Sequence, residues 1–147
     1  MNQHNRRCSV NPNVRKTVFN ILRGKERIHL LDPLPYEAFV EAMVKAHLII
    51  TDSGGIQEEG PSLGTPILVF RKVTERPEGL ATGVVKLIGI ERENVVREAS
   101  LLLESQGVYE GMIAMDNPYG DGHAAQRIVE AILHYFNHGP RPSDFNG

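Results

Sequence analysis

The sequence contains one cysteine, no tryptophan and no apolar run of the roughly 18 residues that a membrane helix needs. The single cysteine, Cys8, excludes an intrachain disulfide and fits a reducing compartment. The N-terminal stretch MNQHNRRCSV lacks the apolar core of a signal peptide. These absences predict no membrane span and no disulfide scaffold, and they favour the cytoplasm.

Neither sign of charge is in large excess. The formal net charge of −2 gives no electrostatic basis for nucleic-acid binding. Any anionic ligand must therefore be held by local donors rather than by the field of the whole protein. A length of 147 residues, with 41% hydrophobic and 23% charged residues, is typical of one soluble globular domain with a sizeable core.

The most informative stretch reads LIITDSGGIQEEGPSLGTPILVF and ends at Phe70. Two short apolar runs, Leu48–Ile50 and Ile67–Phe70, have the length and β-branched content of strands buried on both faces of a parallel sheet. Between them the pattern predicts a glycine turn and a helix over Ile56–Leu63, which Gly64 ends.

A strand, a glycine turn and a helix in this order present free backbone N–H groups to a phosphate. Gly54 and Gly55 let the main chain approach a ligand, and Ser53 can cap the helix and donate a hydroxyl. Glu59, one turn further on, is suited to accept hydrogen bonds from sugar hydroxyls. Because the stretch lacks the G-x-G-x-x-G and G-K-[ST] patterns, an ordinary helix start in an α/β protein is the alternative interpretation.

Apolar periodicity predicts further elements on both sides of this stretch. Strands are predicted over Ile28–Leu31 and Val84–Ile88, and helices from Asn11-Pro12, around Tyr36–Val44, around Val95–Leu103, around Tyr109–Ile113 and over Ala125–Phe136. Residues 71–83, RKVTERPEGLATG, are predicted to form a loop at the C-terminal edge of the sheet, the edge where α/β proteins bind ligands.

Two motifs carry a family resemblance: DSGGIQEEGPSLGTPILVFRKVTERPEG, from Asp52, and NPYGDG, at Asn117–Gly122. They resemble the C-terminal half of the non-hydrolysing UDP-N-acetylglucosamine 2-epimerases. The resemblance implies an α/β fold with a Rossmann-like parallel sheet and helices on both faces, corresponding to the C-terminal domain of a GT-B fold. It predicts a disordered or non-family lead at 1–9, a UDP-binding Rossmann-like domain at 10–136 and a flexible tail at 137–147.

The resemblance also implies a substrate site for UDP or UDP-N-acetylglucosamine. Ser53, Gly54 and Gly55 are expected to hold the diphosphate, and Glu59 the ribose hydroxyls. No metal or other cofactor is implied.

The motif T-E-R-P-E of the family matches Thr74–Glu78, which implies that Glu75 and Arg76 face the sugar end of the substrate. Phe39 lies in the apolar stripe of its helix, so it is expected either to contact the uracil ring or to pack in the core.

Members of the family convert UDP-N-acetylglucosamine into UDP-N-acetylmannosamine through loss of UDP to a glycal and its re-addition from the other face. Their acid and base residues lie in the N-terminal domain. We therefore expect no catalytic residue within this chain and no activity of the chain alone. The expected partner is a missing N-terminal domain or, through an uncovered face of the last helix, a second copy in a homodimer.

Two other functions stay open at this point. A GT-B glycosyltransferase shares the glycine turn and the ribose glutamate, although TERPE and NPYGDG argue against it. A non-enzymatic or vestigial UDP-sugar-binding module fits the residues as well as an epimerase domain does.

Three histidines and one serine are weaker candidates. His4 lies too close to the Asn-Pro segment to be the substrate-facing histidine of the family, and Ser9 stands where members with regulatory UDP-sugar binding have a histidine. His134 and His138 have the spacing of a metal pair but no nearby acidic third ligand, so no metal site is predicted.

Overall fold

The computed structural model describes residues 4–7 and 12–145. The chain divides into two compact units, Met1–Ala42 and Met43–Gly147. The strands are β1 (His4–Arg7), β2 (Ile28–Leu31), β3 (Ile49–Thr51), β4 (Ile67–Val69) and β5 (Val85–Leu87). The helices are α1 (Pro12–Leu22), α2 (Tyr36–Val44), α3 (Gly54–Glu59), α4 (Pro77–Thr82), α5 (Arg92–Glu104), α6 (Gln106–Ile113) and α7 (Ala124–Tyr135), and a 3₁₀ segment covers Gly60–Leu63.

The first unit contains a parallel pair of strands, β1 and β2, with His4 opposite Ile28. Residues 4–7, which belong to the lead at 1–9 that was predicted to be disordered or outside the family, form β1. Helix α1 starts at a proline, which the first turn of a helix tolerates, and Gly24 follows it with a φ of 75°. Cys8, Ser9 and Asn11 lie outside the described residues.

The second unit is built on a parallel sheet with the strand order β3-β4-β5. Ile67 of β4 lies opposite Ile49 on one side and Val85 on the other. All three residues of the central strand are completely buried. Since successive side chains of a strand point to opposite faces, burial of all three requires cover on both faces of the sheet.

Each face of the sheet has its own apolar cluster. The Ile67 and Val69 side chains pack with residues that include Ile56 of α3 and Leu80 of α4. On the other face Leu68 packs with Ile88, which directly follows β5, and with residues of α5 and α6: Leu102, Val95, Ala99, Tyr109 and Met112. The predicted α/β fold, with a parallel sheet and helices on both faces, is thereby confirmed for this unit.

Local boundaries differ from the prediction at two places. Helix α3 begins at Gly54, two residues earlier than predicted, and its last part continues as the 3₁₀ segment. The Ser53 side chain makes no capping hydrogen bond, so the predicted capping role is wrong. Residues 71–83 are only partly a loop, because Pro77 starts α4 and Gly83, with a φ of 85°, ends it. Proline at the first helical position and glycine after the last one were local signals for this helix.

The other predictions about domain organisation stay predictions. The bounds 10–136 include the division between the two units, and the flexibility of 137–147 is not tested by the positions of residues 137–145. No helix in the described part of the chain is long and apolar enough to cross a membrane.

Gly60 tests the packing beneath the 3₁₀ segment. Its φ of −58° suits any residue, but an added Cβ would lie 2.3 Å from Ile67 Cδ1. We expect Gly60→Ala to lower the free energy of unfolding by about 1–3 kcal/mol in urea denaturation, because the methyl group overpacks the core. Ile67→Val removes Cδ1, so the double variant should lose less than the sum of the two single changes.

The matched control is Gly107→Ala in α6, where an added Cβ meets no atom within 4 Å. Alanine should stabilise that helix by about 0.5–1 kcal/mol. Equal effects of the two alanines would contradict the close packing of Gly60 against β4.

Candidate functional site

The candidate site lies at the C-terminal edge of the β3-β4-β5 sheet. Parallel strands end at the same edge, so the segments that follow Thr51 and Val69 are neighbours. The Phe70 amide donates to the Thr51 carbonyl at 2.8 Å and joins these two segments. The first segment leads into α3 and the second leads through the TERPE motif into α4.

The turn into α3 is held by a threonine hydroxyl rather than by a serine cap. The Ser53 amide donates to Thr51 Oγ1 at 3.0 Å. Gly54 and Gly55 then form the first two positions of the helix. A Cβ added to Gly55 would lie 3.7 Å from Glu59 Oε1, so the Glu59 carboxylate turns back toward the start of its own helix. The predicted proximity of the glycine turn and this carboxylate is therefore present.

Arg76 lies over the same helix start, although it comes from the other segment. A Cβ added to Gly54 would lie 3.4 Å from Arg76 Cζ and 3.5 Å from Nη2. The guanidinium Nε donates to Glu58 Oε1 at 2.5 Å, and the side chain stays 34% exposed. The hydrogen bond to Glu58 raises the pKa of Arg76 above its ordinary value. A permanent positive charge thus stands beside the first N–H groups of α3.

Glu58, the neighbour of Glu59, also belongs to the candidate site because it pairs with Arg76. Helical geometry puts Glu58 about 100° around the helix from Glu59, and so away from the side proposed for the ligand. The structure pairs its carboxylate with Arg76 instead, so a change at Glu58 alters the charge at the candidate site. Helical geometry predicts the direction of the Glu58 side chain. It does not predict the partner, because Arg76 lies 18 residues further along the chain.

Glu75 lies beside two arginines. Its Oε2 atom is 3.0 Å from Arg71 Nη1 and 3.9 Å from Arg76 Nη1. A hydrogen bond from its own amide, followed by the charge of Arg71, lowers the pKa of Glu75 below its ordinary value. The carboxylate is ionised at neutral pH and mostly exposed, so it is a hydrogen-bond acceptor and a weak base.

Sequence reasoning missed the buried polar side chain that joins the two segments. Gln57 is fully buried; its Nε2 donates to the Ser53 carbonyl at 3.2 Å, and its Oε1 accepts from the Thr74 hydroxyl at 2.6 Å. That hydroxyl accepts from the Arg76 amide at 3.2 Å. The signal in the sequence was a glutamine on the apolar side of α3, one turn before Gly60.

The NPYGDG motif contacts both the 3₁₀ segment and α4. Asn117 Nδ2 donates to Ser62 Oγ at 2.7 Å and to the Gly120 carbonyl at 3.3 Å. The Tyr119 hydroxyl accepts from the Gly79 amide at 3.0 Å, within the first turn of α4. Burial raises the pKa of Tyr119, which keeps the hydroxyl neutral. The turn therefore holds both the 3₁₀ segment and α4.

Asp121 joins this turn to α7. Its carboxylate accepts two hydrogen bonds from Arg127, at 2.8 and 2.5 Å, and one from the His123 amide at 3.0 Å. The Phe145 ring centre lies 5.5 Å from Arg127 Cζ, so part of the predicted tail contacts α7.

His134 Nδ1 lies 3.2 Å from the Gly139 carbonyl oxygen. Across the described residues, no three His, Cys, Asp or Glu side chains are grouped as a metal site requires.

Six of the seven predicted site residues belong to the second unit and lie at this sheet edge: Ser53, Gly54, Gly55, Glu59, Glu75 and Arg76. Phe39 lies on α2 in the first unit and is half-buried. A separate apolar cavity of about 380 Å³ lies between α4, β5 and α6, and none of the six residues lines it.

Asp121 generates a prediction about pH. Hydrogen bonds from Arg127, then from the His123 amide, hold the pKa of Asp121 below its ordinary value of 3.8. The stabilisation is therefore complete above the ordinary pKa and is lost as the pH falls through the lowered one. We expect Asp121→Asn to lower the urea midpoint at pH 7, and the difference from the unsubstituted chain to shrink between about pH 5 and pH 2.

Asp144→Asn is the control, because Asp144 pairs with Arg141 three residues away on an exposed segment. A pH-independent effect of Asp121→Asn would show that the charge of Asp121 is not what stabilises the turn.

The motifs and the fold agree with comparisons to known proteins. A family model described as UDP-N-acetylglucosamine 2-epimerase matches residues 7–133. The UDP-N-acetylglucosamine 2-epimerase of Campylobacter jejuni is 51% identical over 124 residues, which cover 84% of this chain and 32% of the relative. A crystal structure from Listeria monocytogenes has a TM-score of 0.94 and 46% identity over 99% of this chain and 39% of its own.

The UDP-N-acetylglucosamine 2-epimerase structure from Neisseria meningitidis bound to UDP-N-acetylglucosamine has a TM-score of 0.83 and 46% identity, over 90% of this chain and 36% of its own. The chain spans about a third of the length of the curated relatives that it matches. The family model covers most of the chain, and the similarity extends through the sheet edge that carries the candidate site. The chain therefore belongs to the UDP-N-acetylglucosamine 2-epimerase family.

Proposed function

We propose that this chain binds the UDP part of UDP-N-acetylglucosamine and serves as the UDP-binding part of an epimerase of GT-B architecture. One observation carries the proposal: Arg76, the first N–H groups of α3 and the Glu59 carboxylate converge at one sheet edge. A related protein whose solved structure is described as bound to UDP-N-acetylglucosamine supports the choice of ligand.

The diphosphate is assigned to Ser53, Gly54 and Gly55, with Arg76 beside them. Two glycines let phosphate oxygens approach the backbone N–H groups, and a guanidinium supplies bidentate, charge-assisted donors. The same donors stabilise the charge that grows on UDP as it leaves the sugar. A phosphate would share Arg76 with Glu58, which neutralises the arginine when no ligand is bound.

The ribose is assigned to Glu59. A carboxylate accepts from both vicinal hydroxyls and repels phosphate, so it belongs beyond the diphosphate rather than on it. Its turn back toward Gly55 puts ribose and phosphate recognition on one face of α3. Glu75 is proposed for the sugar end, and Phe39 for the uracil ring.

The acid and base of the reaction are proposed to lie outside residues 1–147. Abstraction of the C2 proton needs a carboxylate whose pKa is matched to that task. Glu58 is bound to Arg76, and the pKa of Glu75 is lowered, so neither is suited to it. The relatives are about two and a half times as long as this chain, which leaves room for such residues elsewhere.

A second copy or a separate N-terminal domain is the proposed partner, and the cytoplasm is the proposed location. A vestigial UDP-sugar-binding module is the remaining alternative function, and it differs only in having no catalytic partner.

The proposed function predicts that the chain binds UDP but does not epimerise the sugar nucleotide. We expect calorimetry to detect weak binding of UDP to residues 1–147, and about the same affinity for UDP-N-acetylglucosamine, because recognition rests on the nucleotide. Incubation with the sugar nucleotide in deuterated water should leave C2 unlabelled by NMR. No heat and no thermal shift at millimolar UDP would refute the binding site, and C2 exchange would place a base within this chain.

Glu59 tests the ribose assignment. Charge-assisted hydrogen bonds contribute roughly 1.5–3 kcal/mol each, so Glu59→Ala should weaken UDP binding by about tenfold or more. Glu59→Gln keeps one acceptor and should cost less. Neither change should lower the melting temperature much, because Glu59 is exposed.

The control is Glu104→Ala at the exposed end of α5. Glu58 is unsuitable as a control because it holds Arg76. A collapse of the melting temperature in Glu59→Ala, or equal affinity losses at positions 59 and 104, would remove the ribose assignment.

A further inference from the structure

Gln57 is a fully buried polar side chain whose amide is used at both ends. Its Nε2 atom donates to the Ser53 carbonyl and its Oε1 atom accepts from Thr74. Among the described residues, no buried side-chain N or O atom lacks a hydrogen-bond partner. A buried amide is costly unless it is paired, so this arrangement favours one relative position of the two segments that it joins.

The chain of contacts ends at Arg76. The Thr74 hydroxyl donates to Gln57 and accepts from the Arg76 amide, at 2.6 and 3.2 Å. Gln57 and Thr74 lie 17 residues apart in the sequence, Gln57 before β4 and Thr74 after it. The backbone at Arg76 is therefore tied to the turn that starts α3, while its side chain reaches over Gly54.

The guanidinium itself is held by ion pairs. Its main partner is Glu58, and the side chains of Arg76 and Glu58 are 34% and 44% exposed. Glu75 lies further away, at 3.9 Å. Ion pairs that are open to solvent fix geometry weakly, and salt screens them. The Gln57–Thr74 hydrogen bond joins two neutral groups and is partly buried, so salt does not screen it and water competes with it less. Of the two restraints, it is the one suited to keep Arg76 at a fixed distance from the helix start.

We propose that Gln57 and Thr74 are positioning residues that hold Arg76 over the start of α3, so that one phosphate group meets the guanidinium and the helix N–H groups together. The inference rests on the proposed function and adds two residues that touch no ligand. They act on the phosphate and leave recognition of the nucleoside unchanged.

Three variants separate the parts of this contact. Thr74→Val keeps the shape of the side chain and removes the hydroxyl, whereas Thr74→Ser keeps the hydroxyl. Gln57→Met keeps the length of the side chain and removes both the donor and the acceptor. Since Thr74 is only half-buried, the valine variant is expected to fold even if the methionine variant is unstable.

The decisive readout compares UDP with uridine, titrated into the isotopically labelled chain and followed by NMR. We expect Thr74→Val to weaken UDP binding about fivefold, the effect of losing one neutral hydrogen bond, and to leave uridine binding within about twofold. Thr74→Ser should restore the UDP affinity. A purely structural role would weaken both ligands in proportion or lower only the melting temperature.

A second readout does not depend on UDP. In Gln57→Met the Thr74 hydroxyl is still present but no longer tied to α3, so the Arg76 amide should lose protection against hydrogen exchange. Unchanged protection of Arg76 in that variant would overturn the proposal. If the unsubstituted chain bound no UDP, the proposed function would fail, and the exchange of Arg76 would still decide whether Gln57 positions it.

Matched substitutions at unrelated sites are the controls. Gln106→Met removes an exposed amide that bonds to Glu110 one turn away, and Thr82→Val removes a hydroxyl that bonds to carbonyls of its own helix. Both should leave the ratio of UDP to uridine affinity unchanged. A fall of that ratio in either control, or an unchanged ratio in Thr74→Val, would show that the Gln57–Thr74 contact does not position Arg76.

Discussion

The burial of β4 on both faces is the constraint on which the rest of the second unit depends. Ile67, Leu68 and Val69 are completely buried, and each such side chain contributes about 1.5–3 kcal/mol when it leaves water. Cover on both faces requires α3 and α4 on one side and α5 and α6 on the other. The helices are thereby fixed relative to the strand ends, and the segments that carry the candidate site start from a rigid edge.

Polar contacts then fix the segments that follow β3 and β4, which the core has brought close together. Gln57 and Thr74 tie the segment after β4 to the turn after β3, and Tyr119 and Asn117 hold α4 and the 3₁₀ segment. None of these side chains is assigned to the ligand. In the proposed site they would set the position of Arg76, and a donor that is displaced by about 1 Å binds a phosphate much more weakly.

Charge at the site is balanced locally, which agrees with the small net charge of the chain. Arg76 is paired with Glu58, and Glu75 lies between Arg71 and Arg76. An anionic ligand therefore meets a paired arginine rather than an open basic patch. Recognition of the proposed ligand would depend on the direction of a few donors, since a net charge of −2 gives no attraction for an anion at long range.

Much of the fold could be predicted from local patterns. Rules that act over a few residues predict strands at the β-branched runs around Ile49 and Ile67. They also predict a helix start near Gly54 and Gly55 and a helix end at Gly64. The structure has strands and helical segments at these places. The same rules put Glu59 on the face of α3 that bears Gly55, and the motifs were enough to identify the family. Six predicted site residues lie together because the parallel strands β3 and β4 end at the same edge of the sheet.

Tertiary structure alone decided which polar groups meet. The pairs Gln57 with Thr74, Glu58 with Arg76, and Gly79 with Tyr119 are 17, 18 and 40 residues apart, and periodicity carries no information on contacts across such distances. Helical geometry alone gives Glu58 no partner, but in the structure it pairs with Arg76. The Ser53 hydroxyl was predicted to cap α3, but instead the Ser53 amide donates to the Thr51 hydroxyl. Apolar patterns specify which face of an element is buried, whereas the partner of a polar side chain depends on where packing puts the neighbouring element.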